Sequence, residues 1–238
     1  MTFRLTFQPP LWATLLLLAA CTLFASAGFW QLDRKAQKAA MFLEFDRGTS
    51  IDPVSGAPSD AEAAGARYQP VTLMGKFDAG HQILLDNIVR NGQSGYLVLT
   101  PLRTDDGNVL VNRGWIAADP DRSRLPDVEV SAADREVLGR LDRLPRPGLR
   151  LAPEPADPAA PWPRRLLFPS AADIADHLGY PVRNYQVLLD PAAKSGYARD
   201  WRPGVSGPDM HLGYAVQWFA FAAAVTVIYL VLNLKQRN

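Results

Sequence analysis

Cysteine is almost absent from this chain: Cys21 is the only one in 238 residues. That excludes an internal disulfide and any cysteine-based metal site. Histidine is nearly as scarce. His81, His177 and His211 lie far apart, so a three-histidine metal site would have to be assembled by folding. The net charge is only +1, which gives no bulk electrostatic argument for nucleic acid as a partner. Catalytic signatures are missing as well. Gly92-Gln93-Ser94-Gly95 and Gly204-Val205-Ser206-Gly207 have the wrong spacing for a G-x-S-x-G nucleophile elbow. There is no G-x-x-x-x-G-K-S/T, no G-x-G-x-x-G and no H-E-x-x-H. Asp105-Asp106 read as solvated turn formers rather than an acid/base pair. No side chain stands out as a nucleophile, and a non-enzyme is expected.

Charge is absent from two long stretches. Leu11 to Trp30 is one and Leu212 to Leu234, entered through His211, is the other. Each has about the length that crosses a bilayer as a helix, so a lipid bilayer is an expected partner. Acidic residues occur only between Asp33 and Asp209, and the tails carry Arg4, Lys235 and Arg237. Basic tails favour the cytoplasm for both ends, although Arg34, Lys35 and Lys38 just after the first run argue the other way. The expected organisation is a cytoplasmic tail over 1–10, a first span over 11–30 and a juxtamembrane helix and linker over 31–66. A mainly-β domain follows over 67–210, then a second span over 211–234 and a tail over 235–238. The large domain is expected in the periplasm, or the intermembrane space if the source is a mitochondrion. A competing reading removes the first span. Ala25-Ser26-Ala27 matches a signal-peptidase site, and Leu18-Ala19-Ala20-Cys21 resembles a lipoprotein box. The apolar run is too long for a signal core and Arg4 alone is a thin basic region, so the span is expected to stay.

Between the spans the signal is strands. Gln31 to Phe45 continues at helical spacing, and Gly48 to Gly65 reads as a linker. Strands are expected over 68–77, 82–89, 96–103, 109–116, within 130–143 and over 184–190, with a tight turn at Asp105 to Asn108. Pro70 suggests an edge or a strand start. Pro145 to Pro163 is too proline-rich for a helix or inner strand. Ser170 to Leu178 is a short helix with Ser170 as N-cap, Asp173 three residues on and Gly179 at its stop. The fold class is therefore two transmembrane α-helices flanking a mainly antiparallel β domain, barrel- or sandwich-like, with minor helices.

What chemistry remains sits where the spans meet the interface. At 100° per residue, His211, Tyr214 and Trp218 fall within about 60° of one another, with Ala222, Val225 and Tyr229 continuing that face. Trp30 and Gln31 leave the first span at the same interface. Trp and Tyr are belt residues in such places, and a lone interfacial histidine is commonly structural. Its sharper reading is an axial ligand for haem iron, with the aromatic side chains lining the ring. Gln217 lies deeper and needs a partner, most simply on the other helix.

Three motifs carry a family resemblance. Gly28-Phe29-Trp30-Gln31-Leu32-Asp33-Arg34-Lys35 resembles the G-x-W-Q-x-x-R element of the Surfeit-locus-one family. Tyr96 to Trp115, with Leu110-Val111-Asn112-Arg113-Gly114-Trp115, is similar to its middle signature, and His211 to Phe219 to its closing one. The resemblance implies an assembly factor of the inner membrane for haem-copper cytochrome c oxidase. It would act on the catalytic subunit when haem a is delivered, with haem a synthase as a further partner. It also implies haem a binding in bacterial members, at His211. In that picture His211 holds the iron, Tyr214 and Trp218 flank the ring, and Trp30 and Gln31 close the site. Arg34 would meet a haem propionate. Arg113 and Trp115 are candidate partner-binding residues, although Arg113 reads slightly better as a structural staple. The alternatives are a scaffold that steadies an oxidase intermediate without touching haem, and a membrane-anchored periplasmic enzyme.

Overall fold

The structure, a computed structural model, describes residues 4–48, 50–145, 157, 159–203 and 207–237. In chain order the elements are β1 (Arg4–Phe7), α1 (Leu11–Arg47), β2 (Val54–Ser55), α2 (Asp60–Gly65) and β3 (Pro70–Phe77). Next come β4 (Ile83–Arg90), β5 (Gln93–Thr104), β6 (Gly107–Ala117), β7 (Asp134–Arg143) and β8 (Arg164–Leu166). The last are α3 (Ala171–Leu178), β9 (Tyr185–Leu189), α4 (Pro208–Asn233) and β10 (Leu234–Arg237). The chain divides into two compact units, one of residues 1–43 with 203–238, the other of residues 44–202.

The first unit is a helical hairpin made by the two membrane-spanning helices. α1 runs without a break past Trp30, because Gln31 to Phe45 contains good helix formers and neither Gly nor Pro. Only 6% of the apolar window of each helix is buried, which is not how the core helix of a soluble protein behaves. The tails, for which the sequence suggests no regular element, pair as an antiparallel ribbon, Arg4 opposite Arg237 and Phe7 opposite Leu234. The ring of Phe7 meets Tyr229 edge-on at 5.8 Å. Pairing of the tails puts both ends of the chain at one end of the hairpin.

The second unit is a closed, mainly antiparallel barrel. β3 pairs β7, β7 pairs β9, β9 pairs β6, β6 pairs β5, and β5 returns to β3. Only the β6–β9 step in that circuit is parallel. Period-2 alternation fills one cluster with Val71 and Leu73 of β3, Val109 and Val111 of β6, Val137 and Leu141 of β7, and Val187 and Leu189 of β9. Pro70 begins β3, where its missing N–H costs no ladder bond. β4 extends the sheet beyond β5, and α3 lays Ile174 and Leu178 onto Ile83, Leu85 and Leu99. Ser170 and Asp173 close a capping box, and Gly179 ends α3 at φ 76°.

Three elements of the second unit depart from the sequence expectation. The stretch expected as linker contains β2, which pairs β3 in parallel, and α2, whose Ser59 and Glu62 form a second capping box; the box with Ala61, Ala63 and Ala64 outweighs the nearby Gly and Pro. β8, directly after the proline-rich segment of Pro145 to Pro163, joins the sheet in parallel with β4. Most of that segment, residues 146–156 and 158, lies outside the described residues.

Candidate functional site

α1 and α4 are held together by small residues, rings and polar contacts. Gly28 and Ala215 are the buried residues of the two helices. A Cβ on Gly28 would stand 2.7 Å from the Phe219 ring, so glycine is what lets that ring in. Phe29 meets Phe219 edge-on at 5.4 Å, and Phe24 packs on Trp218 at 5.8 Å and Phe221 at 5.9 Å. Deeper, Cys21 Sγ lies 3.5 Å from Thr226 Oγ1, and Thr14 Oγ1 shares a 2.7 Å hydrogen bond with the Tyr229 hydroxyl. Cys21 thus sits as a small residue at a helix contact.

At the other end of the hairpin, His211 Nδ1 lies 2.8 Å from Oε1 of Gln31. Both residues are half-buried. This is the direct bond between two sequence-predicted site residues. Arg34, one turn beyond Trp30, places its guanidinium 5.4 Å from the Trp30 ring centre and donates to Gln37 Oε1 at 3.0 Å. Gln37 in turn donates to Asp33 at 2.7 Å. Arg34 has no direct carboxylate partner among the described residues.

The face expected from the spacing is the one α4 turns to α1, with Tyr214 as the exception: His211, Trp218, Ala222 and Tyr229 all contact α1. Ala215, Phe219, Ala222 and Thr226 face α1, on one side of His211. Tyr214 falls about 60° to the other side and is 47% exposed. Trp30 is 54% exposed, and Phe29 rather than Trp30 reaches across to α4. Gln217, expected to bond α1, is exposed and makes no hydrogen bond among the described residues. Sequence reasoning missed Gly28, Phe29 and Phe219 as the close contact. The signal was present in a glycine one turn before Gln31 and a phenylalanine two turns after His211.

On the barrel, Arg113 is 4% exposed. Its guanidinium donates to the carbonyls of Val128 at 2.8 Å and Glu129 at 3.1 Å, and lies 5.1 Å from the Tyr197 ring centre. Buried among these groups it staples the loop ahead of β7 to β6 and presents little to a partner. Trp115 is half-buried and donates from Nε1 to the carbonyl of Ile88 at 2.9 Å. A second polar cluster, not anticipated, forms around Asp78, which accepts from Arg103 Nη2 at 2.8 Å, the Tyr180 hydroxyl at 2.6 Å and His81 Nδ1 at 2.8 Å. Burial alone would raise the Asp78 pKa, but these three donors outweigh it and hold the carboxyl down at about 2. Among the described residues there is no group of three or more His, Cys, Asp or Glu arranged to hold a metal ion.

The sequence matches the profile of the SURF1 family over residues 18–223. It is similar to human Surfeit locus protein 1, 26% identical over 234 residues covering 90% of this chain and 75% of the human one. A SURF1-like protein of Rickettsia felis is 30% identical over 239 residues, covering 91% and 95% of the two chains. Cytochrome oxidase assembly protein SHY1 of Saccharomyces cerevisiae is 27% identical over 172 residues, covering 68% of this chain and 43% of its own.

Proposed function

Because the chain belongs to the SURF1 family, we propose that it is an assembly factor for cytochrome oxidase and not itself an enzyme, working beside the oxidase catalytic subunit in a membrane. The finer reading is that it receives haem a, supplied by haem a synthase, and holds it through His211 until delivery. A neutral imidazole nitrogen such as that of His211 would serve as a ligand to haem iron. The residues present fit such a group. His211 is half-exposed at the start of α4, and aromatic Trp218, Phe24 and Phe221 follow below it along the hairpin. Arg34 carries a charge that no carboxylate contacts among the described residues, suited to a propionate. Two apolar helices offer a surface for an isoprenoid tail. Basic tails and acidic residues confined to the middle of the chain support a periplasmic or intermembrane-space barrel.

The observation that carries the haem reading is the His211–Gln31 pair, an imidazole engaged across two membrane helices with one ring nitrogen still to spare. The test is co-expression of the full chain with haem a synthase, followed by an absorption spectrum of the purified protein. A low-spin haem spectrum that disappears in His211→Ala is the expected result, and a spectrum unchanged by that substitution would remove His211 as the ligand.

A second reading, a scaffold that steadies an oxidase intermediate without haem, draws on the apolar surface of β3 and β7. Met74 and Leu138 are both exposed there, and Thr72, two residues from Met74, is the register partner of Leu138. In that case His211→Ala leaves oxidase assembly intact while Met74→Lys with Leu138→Lys impairs it. Substitutions at Arg113 do not separate the two readings, since a buried staple reports on folding.

A further inference from the structure

The contact between His211 and Gln31 fixes a protonation pattern as well as a distance. An amide oxygen only accepts, so with Gln31 Oε1 at 2.8 Å the Nδ1 of His211 carries the hydrogen. Nε2 is then the nitrogen with a free lone pair. We propose that Gln31 is a positioning residue that selects this tautomer of His211 and, being an uncharged acceptor, keeps the imidazole a moderate rather than a strong iron ligand, so that the site releases what it binds. The proposal rests on the haem reading above.

The acceptor on Nδ1–H sets how strongly the ring binds a metal. A carboxylate in contact with Nδ1–H pulls the proton toward itself and makes Nε2 more basic, which strengthens a metal bond. This chain builds such a pair elsewhere, where His81 Nδ1 meets the Asp78 carboxylate at 2.8 Å. At His211 no carboxylate is in contact among the described residues. Asp33, two residues from Gln31, is engaged by Gln37 instead. The amide polarises the ring less, and in a membrane helix it avoids burying a second charge. The distance is held by the backbone: Gly28 admits the Phe219 ring one turn from Gln31, and Phe29 packs on the same ring.

The experiment uses the full chain in lipid nanodiscs, with 15N-labelled histidine and three proteins: the parent, Gln31→Leu and Gln31→Glu. Without haem, the 15N spectrum of the His211 ring above the range where histidine protonates is expected to show the Nδ1–H tautomer in the parent and a mixture in Gln31→Leu. Ferric protohaem is then the probe. Gln31→Leu is expected to bind it about 10–100-fold more weakly. Gln31→Glu should bind it more tightly, pass it to apomyoglobin more slowly and show a lower midpoint potential. A parent-like tautomer in Gln31→Leu would overturn the positioning role. Release from Gln31→Glu as fast as from the parent would overturn the tuning role. Failure of all three proteins to bind haem would overturn the haem reading and the release argument with it, while the tautomer is still decided by the haem-free spectra.

Discussion

Arg113 donates from Nη1 to the carbonyl oxygen of Val128 at 2.8 Å, a bond between a strand interior and the loop fifteen residues later. No carboxylate shares the site among the described residues. Burial presses the Arg113 pKa below the ordinary guanidinium value, and the charge is carried by carbonyl dipoles and the Tyr197 ring face. Arg113→Leu therefore leaves the buried Val128 carbonyl without its donor, at about 1–3 kcal/mol, and strips a second bond from the Glu129 carbonyl. Arg113→Lys does little better, because a single ammonium cannot reproduce the planar fork that serves two carbonyls. Thermal unfolding of the detergent-solubilised chain is the measurement. Midpoints equal to the parent's in both variants would show that the staple carries no weight.

Asp78 predicts a pH dependence. Its carboxyl is held at about 2, below the ordinary aspartate value of 3.8, so the folded state binds this proton less readily than the unfolded chain. The resulting stabilisation is complete above the unfolded value and is lost as pH falls through the folded one, between about 4 and about 2. Asp78→Asn should lower stability at neutral pH and flatten this part of the acid limb. The check is urea unfolding at a series of pH values from neutral down to the acid limit. An acid limb in Asp78→Asn as steep as the parent's would assign the dependence to other carboxylates.

Gly114 occupies φ 112° on β6, a region open to glycine and strained for other residues, and a Cβ there would stand 2.9 Å from the Ala198 carbonyl oxygen. That approach lets the β6 backbone pair with the segment around Ala198, where Trp115 N donates to Ala198 O at 2.9 Å. Gly114→Ala is expected to cost at least about 1–3 kcal/mol from backbone strain, read as a lowered unfolding midpoint. Gly65→Ala, where an added Cβ meets nothing within 4 Å, is the matched control and should stay close to the parent.

The interhelical hydrogen bond between Thr14 and Tyr229 gives a prediction inside the membrane. Bonds of this kind contribute about 0.6 kcal/mol on average in measured cases. A double-mutant cycle with Thr14→Val and Tyr229→Phe should return a coupling of that size in detergent unfolding. Zero coupling would mean that each hydroxyl finds another partner once the first is removed.

Much of the architecture was legible because periodicity and caps are local. The two uncharged runs, the period-2 strands and the Ser170–Asp173 box each declare themselves within about ten residues. The Ser59–Glu62 box was equally local, but Gly and Pro around it pointed to a loop. What stayed hidden depends on distant partners. β8 is three residues long and exists only because β4 has a free edge. The tails pair only because the helices bring them together. At the site, the ends of the uncharged runs placed His211 and Gln31 at one interface and the helical spacing put His211, Trp218 and Tyr229 on one face, yet the burial of Ala215 and the close approach of Phe219 to Gly28 show only in the folded pair. Asp78 and Tyr180, 102 positions apart, carry no mark in sequence of the bond between them.

The contact of Gly28 with Phe219 yields the most specific test of the hairpin. A single methyl meets the far edge of the Phe219 ring, which can swing aside, so Gly28→Ala should be mild. Gly28→Ile adds branched bulk that no ring rotation accommodates, and the two helices must separate there. Gln31 lies one turn beyond Gly28, so the separation should also lengthen its bond to His211 and release the tautomer. Two readouts are therefore expected to move together in Gly28→Ile: the unfolding midpoint falls, and the 15N spectrum of His211 becomes that of a mixture. Phe219→Ala in the Gly28→Ile background removes the obstructing ring and should recover part of both. Recovery of neither, in a double variant that still folds, would mean that something other than this ring sets the spacing of the helices.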